Sequence, residues 1–214
     1  MKVFIVHYHK LADRKVYMKQ QLEQNLLDGH FVEQYDRDTI SESDLEIFDN
    51  GMKLLHRRPF AAVFLSHLYC YEQDFETALI LEDDAILAPN FSNTLRSYIS
   101  QLPDEWDMVF LGDACNFHIP NTTPSKNVYL KGGEPTSWGG HGATRAADSY
   151  MITRKCADRI ANFARQGNVF HMIDHWLNHA IRVLDLKVYW AEPTIVKSGS
   201  ENGIFNRSVS VNFG

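Results

Sequence analysis

The chain has 214 residues, 44% of them hydrophobic, which is enough to bury one substantial core. A formal net charge of -6 with no lysine or arginine run leaves no surface for neutralising a phosphate backbone, so nucleic acid is excluded as a partner. No segment approaches the roughly 20 apolar residues of a membrane helix, so the expected membrane contact is at most peripheral.

Three scattered cysteines in apolar contexts, Cys70, Cys115 and Cys156, predict reduced core thiols and a cytoplasmic setting rather than a disulfide or zinc framework. The opening run from Met1 to His7 is too short for a signal segment and predicts a first strand over 2–8. Leu11, Met18, Leu22 and Leu26 follow at helical intervals, then Phe31 to Tyr35 reads as a second strand. Ser41 with Asp44 resembles a capping box opening a helix toward Phe48, and Pro59 can start the next helix, running to about Gln73 and apolar nearly all round. Thr77 to Leu81 is a continuous apolar strand ending in three carboxylates, and a helix follows around 91–102 after Pro89.

Met108 to Leu111 predicts another core strand, closed by Gly112 and Asp113. Residues 113–147 are rich in Pro, Gly, Asn, Ser and Thr, with one short strand signal at 127–130, and read as a functional loop region. A strand over 149–153, helices over 155–163 and 171–184, and a strand over 186–190 complete the pattern before a polar tail, 197–214. Alternating helices and apolar strands predict a single α/β domain over 1–214 around a mainly parallel central sheet flanked by helices.

The strongest chemical signal is Glu82-Asp83-Asp84 at the end of that apolar strand. Adjacent carboxylates repel one another unless a cation neutralises them, which points to a hard divalent ion, Mn²⁺ or Mg²⁺; the alternative is an acidic turn capping the next segment. The segment from Ser137 to Arg145 is glycine-rich yet carries Trp138, His141 and Arg145. Aromatic faces stack on ring-shaped ligands and glycines let backbone approach a ligand, so these three are expected to contact a ligand; the alternative is a connecting loop.

Taken together and in order, several segments resemble glycosyltransferase family 25, the lipooligosaccharide galactosyltransferase family. The first strand with Asp13-Arg14, Leu65-Ser66-His67-Leu68, Leu79 to Asp84, Trp106 to Gly112, Ser149 to Lys155, and Ile173-Asp174 are each similar to a family segment, over nearly the whole chain. Val6-His7-Tyr8-His9 departs from the Asn-Leu into which the family's first strand usually runs, which bears on donor preference. The resemblance implies a GT-A type fold, a UDP-sugar donor with galactose as the sugar, a divalent metal, an oligosaccharide or glycolipid acceptor for which Trp138, His141 and Arg145 are the expected contacts, and inversion at the anomeric carbon.

Inversion needs one general base on the face opposite the leaving diphosphate, distinct from the metal triplet. Asp174, beside His175 in an apolar stretch, is the candidate, and helix N-terminal stabilisation is its alternative. Asp13 and Arg14 follow the first strand, where Arg14 could pair with a phosphate; a surface ion pair is the plainer explanation. Ser66 and His67 are assigned to the donor pocket through the resemblance, although a lone His on an apolar helix reads equally as a satisfied core group. Asp83 is shared between metal and donor, and Asp113 follows a core strand where it could contact sugar or metal or simply end the strand. Two competing readings are a metal-dependent phosphohydrolase or phosphotransferase, for which no P-loop is present, and a non-catalytic nucleotide- or carbohydrate-binding module.

Overall fold

A computed structural model describes residues 1–49, 58–113, 117–119, 122–131, 144–167 and 169–206. Its strands are β1 (Lys2–Val6), β2 (Gly29–Val32), β3 (Thr77–Glu82), β4 (Ala85–Leu87), β5 (Met108–Phe110), β6 (Val128–Leu130), β7 (Ser149–Thr153), β8 (Val188–Ala191) and β9 (Val196–Ser198). Its helices are α1 (Ala12–Gln24), α2 (Arg58–Tyr71), α3 (Phe91–Ile99), α4 (Arg154–Arg165) and α5 (Ile173–Val183).

The central sheet has seven strands in the order β2-β1-β3-β7-β5-β8-β6. β2, β1 and β3 are parallel, β5 and β8 run the same way, and β7 and β6 run against them, so the mainly parallel α/β architecture holds. The apolar runs of β1 and β3 are strands covered on both faces, because alternate side chains feed two separate cores. Phe4, Ile80, Phe110, Tyr150 and Ile152 pack under α2, α4 and α5, whereas Val3, Ile5, Leu79, Leu81, Val109 and Met151 pack under α1 and α3. Trp176 of α5 anchors the first face, fully buried between Phe64 and Phe163 at centroid distances of 4.9 and 5.8 Å. Cys70 and Cys156 are buried and unpaired, as reduced core thiols should be; Cys115 lies outside the described residues.

Three local readings need correction. The second strand is Gly29–Val32, two residues earlier than read, because it is the stretch in register with Val3 to Val6. The Ser41–Asp44 capping pair does form, with the Ser41 N–H donating to Asp44 at 2.7 Å and the Asp44 N–H donating to Ser41 Oγ at 3.2 Å. It opens only a single 3-10 turn, Asp44–Ile47, since Phe48 turns extended and bridges Val169 in parallel. The polar tail is also more than a tail, because β9 pairs antiparallel with β4 in a separate two-stranded sheet. Buried Gln21 on α1 stitches that sheet down, its amide donating to the Ala85 carbonyl at 2.8 Å and its oxygen accepting from the Leu87 N–H at 2.7 Å. No described helix is long and apolar enough to cross a membrane.

Candidate functional site

The chain leaves β1 to one side for β2, then crosses through α2 to β3 on the other side. That reversal opens a crevice beyond the carboxyl ends of β1 and β3, where α/β sheets bind ligands. Here it is a cleft open to solvent, with Tyr8, Tyr35, Arg37 and Pro59 among its walls and Ser66, Glu82 and Asp83 at its inner side.

The acid triplet does not act as one unit. Both oxygens of Asp83 are engaged: Oδ1 accepts from Arg14 Nη1 at 2.7 Å, and Oδ2 accepts from His7 Nδ1 at 2.8 Å and more distantly from the Tyr8 N–H at 3.4 Å. A carboxylate only accepts, so the His7 proton sits on Nδ1. Asp83, read from sequence as a metal ligand and donor contact, is engaged in locking the end of β1 to the end of β3. Arg14, read as a phosphate contact, has its other amino group on Ser200 Oγ at 3.1 Å and on the Asn206 carbonyl, with the guanidinium over Phe205 at 5.3 Å. Asp13 is exposed in the first turn of α1, where an acid suits the helix N-terminus.

Asp84 is held from the opposite side of the turn. Its Oδ2 accepts from Ser198 Oγ at 3.1 Å and from the Ser200 N–H at 3.0 Å, while its carbonyl accepts from the Gly199 N–H at 2.8 Å. Residue 199 has to be glycine, because a Cβ there would lie 2.9 Å from the Asp84 carbonyl and 2.5 Å from the Phe205 ring. Asp84 Oδ1 is buried without a partner. So is one oxygen of Asp148, the residue preceding β7, whose Oδ1 takes only a long bond from Ser149 Oγ at 3.3 Å. Gly112 admits this carboxylate, since a Cβ would come within 3.0 Å of Asp148 Oδ2. Burial, reinforced by the charges of Glu82 and Asp84, drives the Asp148 carboxyl well above the usual range. Partial burial, with Asp84 adding to it, also raises Glu82, and His67 opposes the shift.

Two buried carboxylate oxygens without donors, in a field of further carboxylates, are what a divalent cation would satisfy. Among the described residues no three His, Cys, Asp or Glu side chains converge as a complete cage. The residues present would therefore fit a divalent ion only as an open site, one that would take its remaining ligands from outside the chain.

The other expected residues scatter. Ser66 lines the cleft while its hydroxyl donates to the Ala62 carbonyl at 2.9 Å, and His67 is sealed beneath it, its Nδ1 2.7 Å from the Tyr150 hydroxyl. The Asp113 carbonyl accepts from the Phe117 N–H at 2.7 Å, and its charge reaches Arg145 and Asp148. Arg145 is a correction: it is fully buried, donates to the carbonyls of Gly112 at 3.2 Å and Ala191 at 2.8 Å, pairs with Glu192 and lies over Trp190. With no exposed surface it ties the ends of β5 and β8 together. Trp138 and His141 lie outside the described residues. Asp174 is half-buried in the first turn of α5, its Oδ1 accepting from the His175 N–H at 2.8 Å and its carbonyl facing Thr144 Oγ1 at 3.5 Å.

Sequence reasoning missed His7, Asp148 and the Ser198-Gly199-Ser200 turn as site residues. The available signals were a histidine ending an apolar strand, an acid immediately before one, and a glycine between two serines.

The family model of glycosyltransferase family 25 (LPS biosynthesis protein) matches residues 1–129. A protein of Acanthamoeba polyphaga mimivirus described as a glycosyltransferase is 25% identical over 137 residues, covering 60% of this chain. The chain spans only 42% of that relative's length. Among solved structures, a mutant Drosophila β-galactosyltransferase complexed with manganese, UDP-Gal and xylobiose aligns with 100% of this chain and 76% of its own, at 8% identity and a TM-score of 0.47. A glycosyltransferase involved in glycosylation of the major capsid of PBCV-1 aligns with 76% of this chain and 63% of its own, at 12% identity and a TM-score of 0.36. With the family model covering more than half of its residues, the chain belongs to glycosyltransferase family 25.

Proposed function

We propose that this chain is an inverting, metal-dependent glycosyltransferase of GT-A type that moves a hexose, galactose from UDP-galactose, onto a saccharide of a lipooligosaccharide or other surface glycan. The observation that carries the reading is the pair of unpartnered, buried carboxylate oxygens on Asp84 and Asp148, beside an aromatic-walled cleft at the sheet's switch point. Family membership supports the transfer chemistry and the glycan class of acceptor. The cysteine pattern and the absence of a membrane-crossing helix among the described residues support a cytoplasmic setting with peripheral membrane contact at most.

In this reading Asp84 and Asp148 would hold the divalent ion, Mn²⁺ or Mg²⁺. When bound, it neutralises the charge that grows on the leaving diphosphate. The remaining work belongs to the chain. Asp83, Arg14 and His7 do not touch the diphosphate but set the angle at which β1 and the acid turn meet, which fixes where Asp84 points. Tyr8 and Tyr35 wall the cleft with flat apolar surface suited to a nucleoside. Asp174 takes the acceptor hydroxyl proton; it stands at the start of α5 beside Thr144, where the chain re-enters from the segment carrying Trp138 and His141. Those two residues contact the acceptor.

Calorimetric titration with UDP-, GDP- and CMP-sugars, each with and without Mn²⁺, tests the proposal. The expected result is selective binding of a UDP-hexose that requires Mn²⁺ and disappears in Asp84→Ala; no nucleotide binding in any combination would refute it.

A further inference from the structure

Beneath the cleft runs a chain of buried polar groups that the proposed mechanism leaves unused. The Tyr71 and Tyr150 hydroxyls are 2.6 Å apart, the Tyr150 hydroxyl is 2.7 Å from His67 Nδ1, and His67 Nε2 faces Glu82 Oε1 at 3.8 Å. Tyr71, Tyr150 and His67 are each buried to 1% exposure or less, and the His67 ring is stacked nearly parallel on Tyr150. Glu82 is the end of the chain that reaches the cleft, its side chain 34% exposed.

The direction of the protons follows from counting donors and acceptors. If His67 carried its proton on Nδ1, it would donate to Tyr150, and one of the two hydroxyl protons, on Tyr150 or Tyr71, would have no acceptor among the described residues. With Nδ1 bare, Tyr71 donates to Tyr150, Tyr150 donates to His67, and the proton on Nε2 faces Glu82, its acceptor among the described residues. Buried hydroxyls and ring nitrogens are rarely left unpaired, so the second arrangement prevails. At 3.8 Å the last step is open, and a movement of the Glu82 carboxylate of about 1 Å closes it to ordinary hydrogen-bond length.

Glu82 is thus braced from behind by a neutral donor and presents its other oxygen to the cleft. A carboxylate accepts and does not donate, and it repels phosphate, so the ligand group it selects is a hydroxyl. Asp83 is saturated and Asp84 is turned toward the Ser198-Gly199-Ser200 turn, which leaves Glu82 as the acid of the triplet facing the pocket. We propose that Glu82 is the hexose-recognising residue, accepting from sugar hydroxyls of the donor, and that His67, set by Tyr150 and Tyr71, is the positioning residue that aims it. This inference rests on the donor reading above and takes Glu82 out of the metal set.

The experiment compares UDP with UDP-galactose and UDP-glucose by calorimetry in the presence of Mn²⁺, for the wild-type protein, Glu82→Gln, His67→Asn and His67→Gln. Asn keeps an acceptor near the Nδ1 position for Tyr150 but has no group reaching Glu82, whereas Gln can place its amide near the Nε2 position. Glu82→Gln should weaken UDP-hexose about ten- to a hundredfold while UDP stays within about twofold, as for a lost hydrogen bond to a charged group. His67→Asn should follow it by several-fold, and His67→Gln should restore much of the difference. Equal losses for UDP and UDP-hexose in Glu82→Gln would return Glu82 to the metal set and overturn the inference, as would an unchanged sugar preference in His67→Asn. Mn²⁺-dependent UDP binding in the wild type separates that outcome from failure of the donor reading, which would abolish UDP binding too.

Discussion

Replacing Arg14 with Met removes the cation at the centre of the acid turn while keeping most of the side chain's length. Arg14 and Asp83 are each 5% exposed, so the substitution strands a buried carboxylate whose remaining side-chain donor is His7. Breaking a buried ion pair from one side destabilises by about 3–5 kcal/mol, because the abandoned charge loses its partner without regaining water. For a chain of this size that lowers the melting temperature by about 6–20 °C. It lowers the urea midpoint by about 1–2 M with an unchanged slope. The diagnostic measurement is a double-mutant cycle with Asp83→Leu, monitored by urea unfolding. Each single variant leaves one buried charge alone and the double variant leaves none, so the double variant should be more stable than the sum of the two losses predicts. An Arg14→Met loss under about 1 kcal/mol, or strict additivity in the cycle, would refute the view that this pair holds the turn together.

Two further outcomes follow from the site. Asp174→Asn should leave donor binding nearly unchanged and lower turnover by about 10²- to 10⁴-fold in a transfer assay; a near-normal rate would confine Asp174 to stabilising α5. Asp148→Asn tests the electrostatics without metal. The folded state raises the Asp148 pKa, so its contribution to stability is complete below the unfolded carboxyl value, about 3.9, and is lost as pH rises through the folded value. In chelator-treated protein the Asn variant should therefore melt above the wild type near neutral pH, with the gap closing toward about pH 4, and a constant gap in thermal melts would show that Asp148 is not strained there.

What could be read in advance depended on how local the determining physics is. The apolar run 77–81 announced a core strand because both its faces are buried, and Pro59 was legible as a helix start and falls in the first turn of α2. The capping pair at Ser41 and Asp44 was legible and formed, but the length of the helix behind it was set by a bridge to Val169, more than a hundred residues away. The acid triplet was legible as charge and illegible as geometry: whether each carboxylate faces cation, cleft or clamp depends on His7, Arg14 and the Ser198-Gly199-Ser200 turn, all distant in sequence. Arg145 illustrates the same limit from the other direction. Its glycine-rich neighbours suggested an exposed loop, while the carbonyls of Gly112 and Ala191 draw it fully inside.

The clamp on the acid turn also sets the order in which the site can mature during synthesis. Arg14 meets Ser200 and Asn206 across separations of 186 and 192 residues, and Asp84 waits for Ser198 and Ser200. A ribosome moving at about 5–20 residues per second needs roughly ten to forty seconds to cover that distance. Once β3 has been made, the nascent sheet can pair β1 with β2 and β3, while the turn bearing Asp83 and Asp84 still lacks its closing half. The pocket is therefore among the last parts of the chain to become competent, and a growing polypeptide carries the acids of its site without yet having the means to aim them.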